Sequence, residues 1–137
     1  MWSKLGLGDE DCLVLIDAPA KLQIPGRPAT ARISRERARE RDGAAAQAIL
    51  AFFASLAALS EQLPALAQRI FPAGALWVAW PRRAAGHESD IRESDIRELA
   101  LPLGLVDVKV AAIGEDWSGL RLVWRVERRQ ATPAERG

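Results

Sequence analysis

Three continuous apolar runs stand out in the pattern of hydrophobic and polar positions along the chain. They read CLVLI from Cys12, AILAFFA from Ala48 and ALWVAWP from Ala75. Each run is as long as a strand and has no charged position inside it. Such runs are typical of strands that are covered on both faces. A further segment, ATARIS from Ala29 to Ser34, is predicted as a short edge strand.

The last third of the chain alternates instead, in VDVKVAAI and GLRLVWRVE, with GEDWSG between them. The alternation predicts one apolar face, made of Val106, Val108, Val110, Leu120, Leu122, Trp124 and Val126. Charged residues lie on the opposite face: Asp107, Lys109, Arg121 and Arg125. Two such segments joined by a short polar loop predict an antiparallel pair of half-covered strands.

An apolar stripe with three- and four-residue spacing predicts a helix after the second buried strand. Its members are Leu56, Leu59, Leu63, Leu66 and Ile70. Proline inside a helix removes a hydrogen bond, so Pro64 predicts either a kink or two short helices, with Pro64 in the first turn of the second.

A second amphipathic helix is predicted in ESDIRESDIRE, with Ile96, Leu99 and Leu103 on its inner face. Asp90 is three residues before Glu93, which is the spacing of a capping box, and we expect Asp90 to cap this helix. An exposed helical turn is also predicted from Glu36 to Glu40, where glutamates alternate with arginines.

Strands that alternate with helices imply a parallel sheet with right-handed crossovers, and the closing pair adds an antiparallel edge. The sequence therefore predicts a three-layer Rossmann-like α/β sandwich, with a mostly parallel sheet and an antiparallel C-terminal strand pair. We expect one domain over residues 1–130 and a flexible tail over residues 131–137.

The quoted motifs resemble a known bacterial family, the domain of unknown function 3052. The resemblance rests on WSKLGLGDEDCLVLIDAP, LPALAQRIFPAGALWVAWPRR and LALPLGLVDVKVAAIGEDWSGLRLV. The family shares WVAWP followed by two basic residues and a DWSGL-type loop. The resemblance covers nearly the whole chain except Leu22 to Gln47, and it implies no particular activity.

The order of elements more distantly resembles class I methyltransferases, which would imply S-adenosylmethionine as cofactor. Those enzymes place a glycine-rich loop after the first strand, so that backbone amides approach the cofactor. The corresponding segment in this chain is DAPAKLQIPG, with a proline at Pro19. The FFASL segment after the second buried strand also differs from the substrate loop of amino-methylating enzymes. The cofactor is therefore left open.

Composition excludes several classes of site. The net charge is +1, which argues against a general polyanion binder. Cys12 is the only cysteine and His87 the only histidine, so an intrachain disulfide, a cysteine zinc site and a two-histidine metal site are all excluded. The N-terminus lacks the pattern of a secretory signal, and the longest apolar run is shorter than a membrane span. We therefore expect a cytoplasmic protein that binds no metal.

The candidate ligand site lies where the predicted strands end. Arg82 and Arg83 follow the third buried strand and can grip a phosphate or carboxylate, or they can be solvated loop residues. Asp17 follows the first strand and can bind a ribose hydroxyl or orient Arg82, or simply form a turn. His87 follows the arginines and can act as an acid or base near neutral pH, or be an inert surface residue.

Trp117 places an indole in a polar turn, and its position is consistent with two roles. It can anchor a partner or stack on a base, or it can fold back as a lid over the edge of the sheet. The nearby Trp77 and Trp80 raise a related question, because their indoles can fill the crevice at the strand ends.

A stretch rich in arginine, Arg27 to Arg41, is a possible contact for phosphates. No aromatic residue is interleaved with its arginines, which argues against nucleic acid as a partner. The leading hypothesis is a non-catalytic binding or interaction module, with a small anionic ligand, a nucleotide or a protein as partner and with no catalytic residue assigned. The alternatives are a divergent S-adenosylmethionine-type transferase and a protein that associates with nucleic acid through this stretch.

Overall fold

A computed structural model describes residues 2–36, 45–82 and 89–128 of the chain. In chain order the strands and α-helices are β1 (Cys12–Ile16), β2 (Arg32–Glu36), β3 (Ala48–Phe52), α1 (Leu56–Arg69), β4 (Ala75–Pro81), α2 (Glu93–Ala100), β5 (Leu105–Ile113) and β6 (Trp117–Trp124). Short 3-10 turns occur at Ser3–Leu5, Leu101–Leu103 and Val126–Arg128. No helix in the described ranges has the length and apolar character needed to cross a membrane.

The strands form one six-stranded sheet in the order β2-β1-β3-β4-β6-β5. The first four strands are parallel, while β6 is antiparallel to both β4 and β5. The predicted mixed sheet with an antiparallel C-terminal pair is therefore confirmed. The runs predicted as doubly covered strands are β1, β3 and β4, and every residue of β3 is buried.

Both helices pack on one face of the sheet, which we call the helical face. The core here is formed by alternate strand residues such as Val14, Ile49 and Leu76, which are adjacent across β1, β3 and β4. The Trp124 indole donates to the Ala67 carbonyl at 2.9 Å, which ties β6 to α1. A polar indole nitrogen is thus satisfied inside an otherwise apolar layer.

Helix α1 is a single helix of 14 residues with Pro64 inside it, so the alternative of two short helices is wrong. Ser55 caps its start by accepting a hydrogen bond from the Ala58 amide at 3.2 Å. Leu59 and Leu63, just before the proline, are both almost completely buried, and so is the stripe beyond it. Burial on both sides of Pro64 offsets the local cost of about 3 kcal/mol that an internal proline imposes.

The opposite face is covered by non-helical chain, so the outer layer there consists of the N-terminal segment and the loop after β1. Trp2 is 2% exposed, and its indole donates to the Gly8 carbonyl at 2.9 Å. The Trp77 indole donates to the Leu5 carbonyl at 3.1 Å across this layer. Residues Leu22 and Ile24 of the loop pack against the same core.

Asp90 does not cap the second helix. Its carboxylate accepts from the Leu56 amide at 2.8 Å, so it caps the start of α1 instead. Helix α2 begins later than predicted, and the Arg92 amide donates to Asp95 at 3.1 Å. The sequence spacing alone would allow Asp90 to cap α2. The packing of the start of α1 near Asp90 directs its carboxylate to α1 instead.

A β-bulge overturns the predicted apolar face of β5. The register shifts between Asp107 and Lys109, which leaves Val108 as the extra residue. Val110 pairs with Leu120 and Val106 with Val123, so these two valines lie on opposite faces. Outside the strand, Val126 is 66% exposed in a 3-10 turn, also contrary to the prediction.

Glu36 is the last residue of β2 and not the start of a helical turn; the rest of that predicted turn, residues 37–40, lies outside the described residues. Its carboxylate forms two hydrogen bonds of 2.9 Å with the Arg69 guanidinium. The Arg69 side chain is 7% exposed and that of Glu36 17%. This ion pair ties the end of α1 to the edge strand.

Candidate functional site at the carboxyl edge of the sheet

The carboxyl ends of the four parallel strands lie at one edge of the sheet. The chain leaves β1 toward β2 on one side and leaves β3 toward β4 on the other, so the connections diverge between β1 and β3. In open α/β sheets this divergence is where ligands bind. The residues that follow β1 and β4 are Asp17 and Arg82, as the sequence predicted.

Asp17 is exposed and has a φ of 54°, in the left-handed region. Aspartate tolerates this region better than most residues because its side chain is short and polar. The Asp17 amide donates to the Glu36 carbonyl at 3.0 Å, which extends the pairing of β1 with β2. The turn then directs the following loop away from the strand end.

Arg82 is half-buried, and its backbone amide donates to the Asp116 carbonyl at 2.8 Å. This bond continues the β4–β6 ladder, whose last pair is Pro81 with Trp117. The backbone of Arg82 is therefore hydrogen-bonded directly to the turn between β5 and β6. Within residues 2–36, 45–82 and 89–128, no ion pair of its guanidinium group is found.

A cavity of about 320 Å³ opens at this edge, on the non-helical face. One wall is the loop after β1, and the other is the turn that joins β5 to β6. The residues that line it are Pro19, Lys21, Leu22, Gln23, Ile113, Gly114, Glu115, Asp116 and Trp117. Its size falls at the lower end of the range for small-molecule sites, which is about 300–1,000 Å³.

Trp117 forms part of the cavity wall. Its ring packs edge-to-face on Phe52, with centroids 4.9 Å apart and an interplanar angle of 89°. Phe52 is 4% exposed, so the indole rests on the core beneath the sheet edge. Trp77 and Trp80, which the sequence placed as possible fillers of the crevice, are buried in the cores of the two faces and do not line this cavity.

The charges at the cavity are mixed. Lys21 contributes an ammonium group to one wall, and Glu115 and Asp116 contribute carboxylates to the other. Arg82 begins at the same turn, but it lies two residues after Trp80 of the helical face and does not line the cavity. A ligand in the cavity meets an ammonium group, carboxylates and an indole together, and such groups can orient a polar ring compound.

The structure thus brings together Arg82 and the turn that carries Trp117, and it places Asp17 on the same edge but not in the cavity lining. Arg83 and His87 lie outside the described residues. The wall from Pro19 to Gln23 was missed by sequence reasoning. The sequence shows only that this segment follows the first strand. Its approach to the β5–β6 turn depends on tertiary packing. No group of acidic, histidine or cysteine residues within the described ranges is arranged to hold a metal ion.

A family model described as "Protein of unknown function (DUF3052)" matches residues 34–126, more than half of the chain. The chain belongs to this family. No curated protein matches it. The family assignment confirms the resemblance drawn from the WVAWPRR and DWSGL motifs, and it brings no activity with it.

The solved structures with a similar fold include methyltransferases. An O-methyltransferase from neocarzinostatin biosynthesis, NcsB1, has a TM-score of 0.59 at 14% identity, over 91% of this chain. This chain covers only 50% of that enzyme. A SAM-dependent methyltransferase from Aquifex aeolicus has a TM-score of 0.57 at 11% identity, with 88% of this chain and 85% of that chain covered.

A fibrillarin pre-rRNA processing protein from Methanococcus jannaschii has a TM-score of 0.55 at 13% identity, over 85% of this chain and 67% of its own. Identities this low show a shared fold alone. The methyltransferase-like fold predicted from the order of elements is therefore confirmed.

The end of β1 does not fit S-adenosylmethionine, the cofactor that this fold family implies. Backbone amides must approach such a cofactor closely, and glycine makes this possible. Here the Asp17 amide is bonded to the Glu36 carbonyl, and Pro19 has no amide hydrogen. The nearest glycine after β1 is Gly26, which lies against Trp2 and not at the strand end.

Proposed function

We propose that this protein is a non-catalytic binding module that holds a small anionic ligand of the nucleotide type at the carboxyl edge of its sheet. The observation that carries the proposal is the cavity between Pro19–Gln23 and Ile113–Trp117, at the edge where α/β sheets bind ligands. The fold supports the location, and the lining residues support the class of ligand.

The ligand class follows from the three kinds of group around the cavity. Lys21 lines the cavity, and its ammonium group can receive a phosphate through charge-assisted hydrogen bonds. The Trp117 indole offers a flat surface on which a base can stack. Glu115 and Asp116 can accept from amino or hydroxyl groups of the same ligand.

Binding without chemistry is favoured over transfer because the cofactor loop of the transferase fold is replaced by DAPAK. A transferase of this fold needs backbone amides at the end of β1, and there the Asp17 amide already has a partner. Asp17 itself lies on an exposed left-handed turn, outside the cavity lining.

The test measures ligand-dependent thermal unfolding with AMP, ATP and S-adenosylmethionine, compared in wild type, Lys21→Gln and Trp117→Phe. A ligand at a hundred times its dissociation constant adds about 2.7 kcal/mol, which raises the melting temperature by about 10 °C for a domain of this size. We expect a nucleotide to stabilise the wild type and to lose at least half of that shift in each variant.

Arg32→Gln is the matched control, because Arg32 is an exposed cation at the far edge strand β2. It should retain the full ligand shift. A shift of equal size in wild type and both cavity variants would contradict the proposal, as would no shift with any nucleotide. Stabilisation by S-adenosylmethionine alone would instead favour the transferase alternative.

A further inference from the structure

Three cationic residues are linked by contacts on the non-helical face, at the far side of the sheet from β2. We call Lys4, Lys109 and Arg121 the basic cluster. Lys109 and Arg121 are direct cross-strand partners on β5 and β6. The Lys109 ammonium donates to the Lys4 carbonyl at 3.2 Å, and the Lys4 ammonium donates to the Ala112 carbonyl at 2.9 Å.

These contacts link the three residues without neutralising their charges. The acceptors of both ammonium groups are backbone carbonyls, which carry no net charge. Among the described residues the ion pairs are those of Arg69 and Arg97, and neither involves the basic cluster. Like charges directly opposite each other on paired strands destabilise a sheet, so the arrangement favours any anion that binds between them.

Arg121 gives a second, independent observation. Its Nε atom is buried and has no hydrogen-bond partner. Gly6 lies directly against its guanidinium group, because a Cβ at Gly6 would be 3.3 Å from Nη2. A buried donor without an acceptor costs about 1–3 kcal/mol. The guanidinium is therefore held in place by packing, without an internal acceptor for this nitrogen.

We propose that the basic cluster is a second binding site, which takes the phosphate or carboxylate group of a small anionic metabolite. The exposed ammonium groups of Lys4 and Lys109 can contact such a group, and the Arg121 guanidinium, held by packing, adds a fixed positive charge on the strand next to Lys109. The bend at Gly6 leaves room for this guanidinium, and a larger residue there would press on it.

A small anion suits the site better than a polymer does. The cluster is compact, and the chain as a whole has a net charge of only +1. The turn that follows Lys109 along β5 carries the carboxylates of Glu115 and Asp116. A nucleic-acid strand laid along β5 from the cluster would meet these carboxylates, and its phosphates would be repelled.

The test is titration of the full chain with pyrophosphate at about 0.01 M salt, where screening is weak. Binding is followed by calorimetry and by the amide resonances of Gly6 and Lys109. We expect saturable binding that weakens about tenfold in Lys109→Gln and in Lys4→Gln, since each charge-assisted hydrogen bond contributes this much. Both lysines are exposed, so these variants are expected to fold.

Two controls separate binding at the basic cluster from binding in the cavity and from a general effect of surface charge. Arg32→Gln removes one charge elsewhere on the surface and should bind pyrophosphate like the wild type. Lys21→Gln alters only the cavity and should also leave this affinity unchanged. If Lys21→Gln abolished binding while the two cluster variants retained it, the cluster would be excluded and the cavity would hold the anion.

Absence of saturable binding in the wild type would also overturn the proposal, as would affinities in Lys4→Gln and Lys109→Gln within twofold of the wild type. A single-stranded oligonucleotide serves as the remaining arm. If it bound more tightly than pyrophosphate and depended on the same two lysines, the assignment to a small anion would be wrong and nucleic acid would be the ligand.

Discussion

The contact between Phe52 and Trp117 provides the most direct test of the cavity wall. The two rings meet edge-to-face at 4.9 Å, and Phe52 is 4% exposed. A pair with this geometry is worth about 0.5–1.5 kcal/mol beyond the area it buries. If the indole is held as the structure places it, the two residues must be energetically coupled.

The perturbation is a double-mutant cycle with Phe52→Leu, Trp117→Leu and the double variant. Phe52→Leu removes ring atoms from a packed core, and we expect a loss of about 1–2 kcal/mol in the free energy of unfolding. Trp117→Leu should cost a similar amount, because the indole is only half-buried. The double variant should then be more stable than the sum of the single losses predicts, by about 1 kcal/mol.

The assay is denaturant unfolding of the four proteins, followed by far-UV circular dichroism because tryptophan fluorescence changes with the substitution. The control cycle uses Phe71 and Trp124, which meet at 5.2 Å and 89° on the helical face, away from the cavity. Both cycles should give the same coupling. Additivity within about 0.3 kcal/mol for Phe52 and Trp117, with coupling in the control, would refute the placement of the indole in the wall.

Three further predictions concern the stability of the fold. Arg69→Met leaves the largely buried Glu36 carboxylate without its partner and should lower the free energy of unfolding by about 3 kcal/mol. The double variant Arg69→Met/Glu36→Leu should recover most of this loss in urea unfolding. Equal instability of the single and double variants would contradict this. Gly74→Ala would place a Cβ 2.8–2.9 Å from three backbone carbonyl oxygens that cannot rotate away, and should cost about 1–3 kcal/mol in the same assay; an unchanged midpoint would show that the backbone yields. The hydrogen bond from Arg97 holds the pKa of Asp107 below its ordinary value, so the stabilisation is present above that value and is lost as the pH falls through the lowered pKa. The stability difference between wild type and Asp107→Asn should therefore be constant near neutral pH and shrink below about pH 4, and a difference independent of pH would rule out this ion pair as its source.

Local sequence patterns were sufficient to predict an element wherever a single physical requirement, such as burial on both faces, dominated the segment. The strands β1, β3 and β4 are buried on both faces. Because neither face of such a strand contacts water, its sequence is continuously apolar. The hairpin of β5 and β6 followed from alternation around a short polar loop. The position of Asp17 and Arg82 at one sheet edge then followed from the parallel order of the strands.

The errors arose where two local rules competed. Pro64 predicts a kink or two short helices, and the two-helix alternative is wrong, because the buried leucines on either side belong to one continuous stripe and their burial prevails. Asp90 has the spacing to cap α2 and instead caps α1, because the start of that helix is brought next to it. The bulge at Val108 shifts the register of β5 without leaving a signal in the alternation of the sequence.

The sequence by itself determined the mixed sheet, the methyltransferase-like order of elements and the kinds of residue at the strand ends, because these depend on hydrophobic periodicity and chain direction. Only the tertiary structure decided that the loop from Pro19 to Gln23 closes on the β5–β6 turn to form a cavity, and that Lys4 joins Lys109 and Arg121. Both assemblies bring together residues far apart in the chain, some of them on non-helical segments with no periodic pattern. Their positions follow from the packing of Trp2, Leu5 and Leu22 on the sheet, which no local signal specifies.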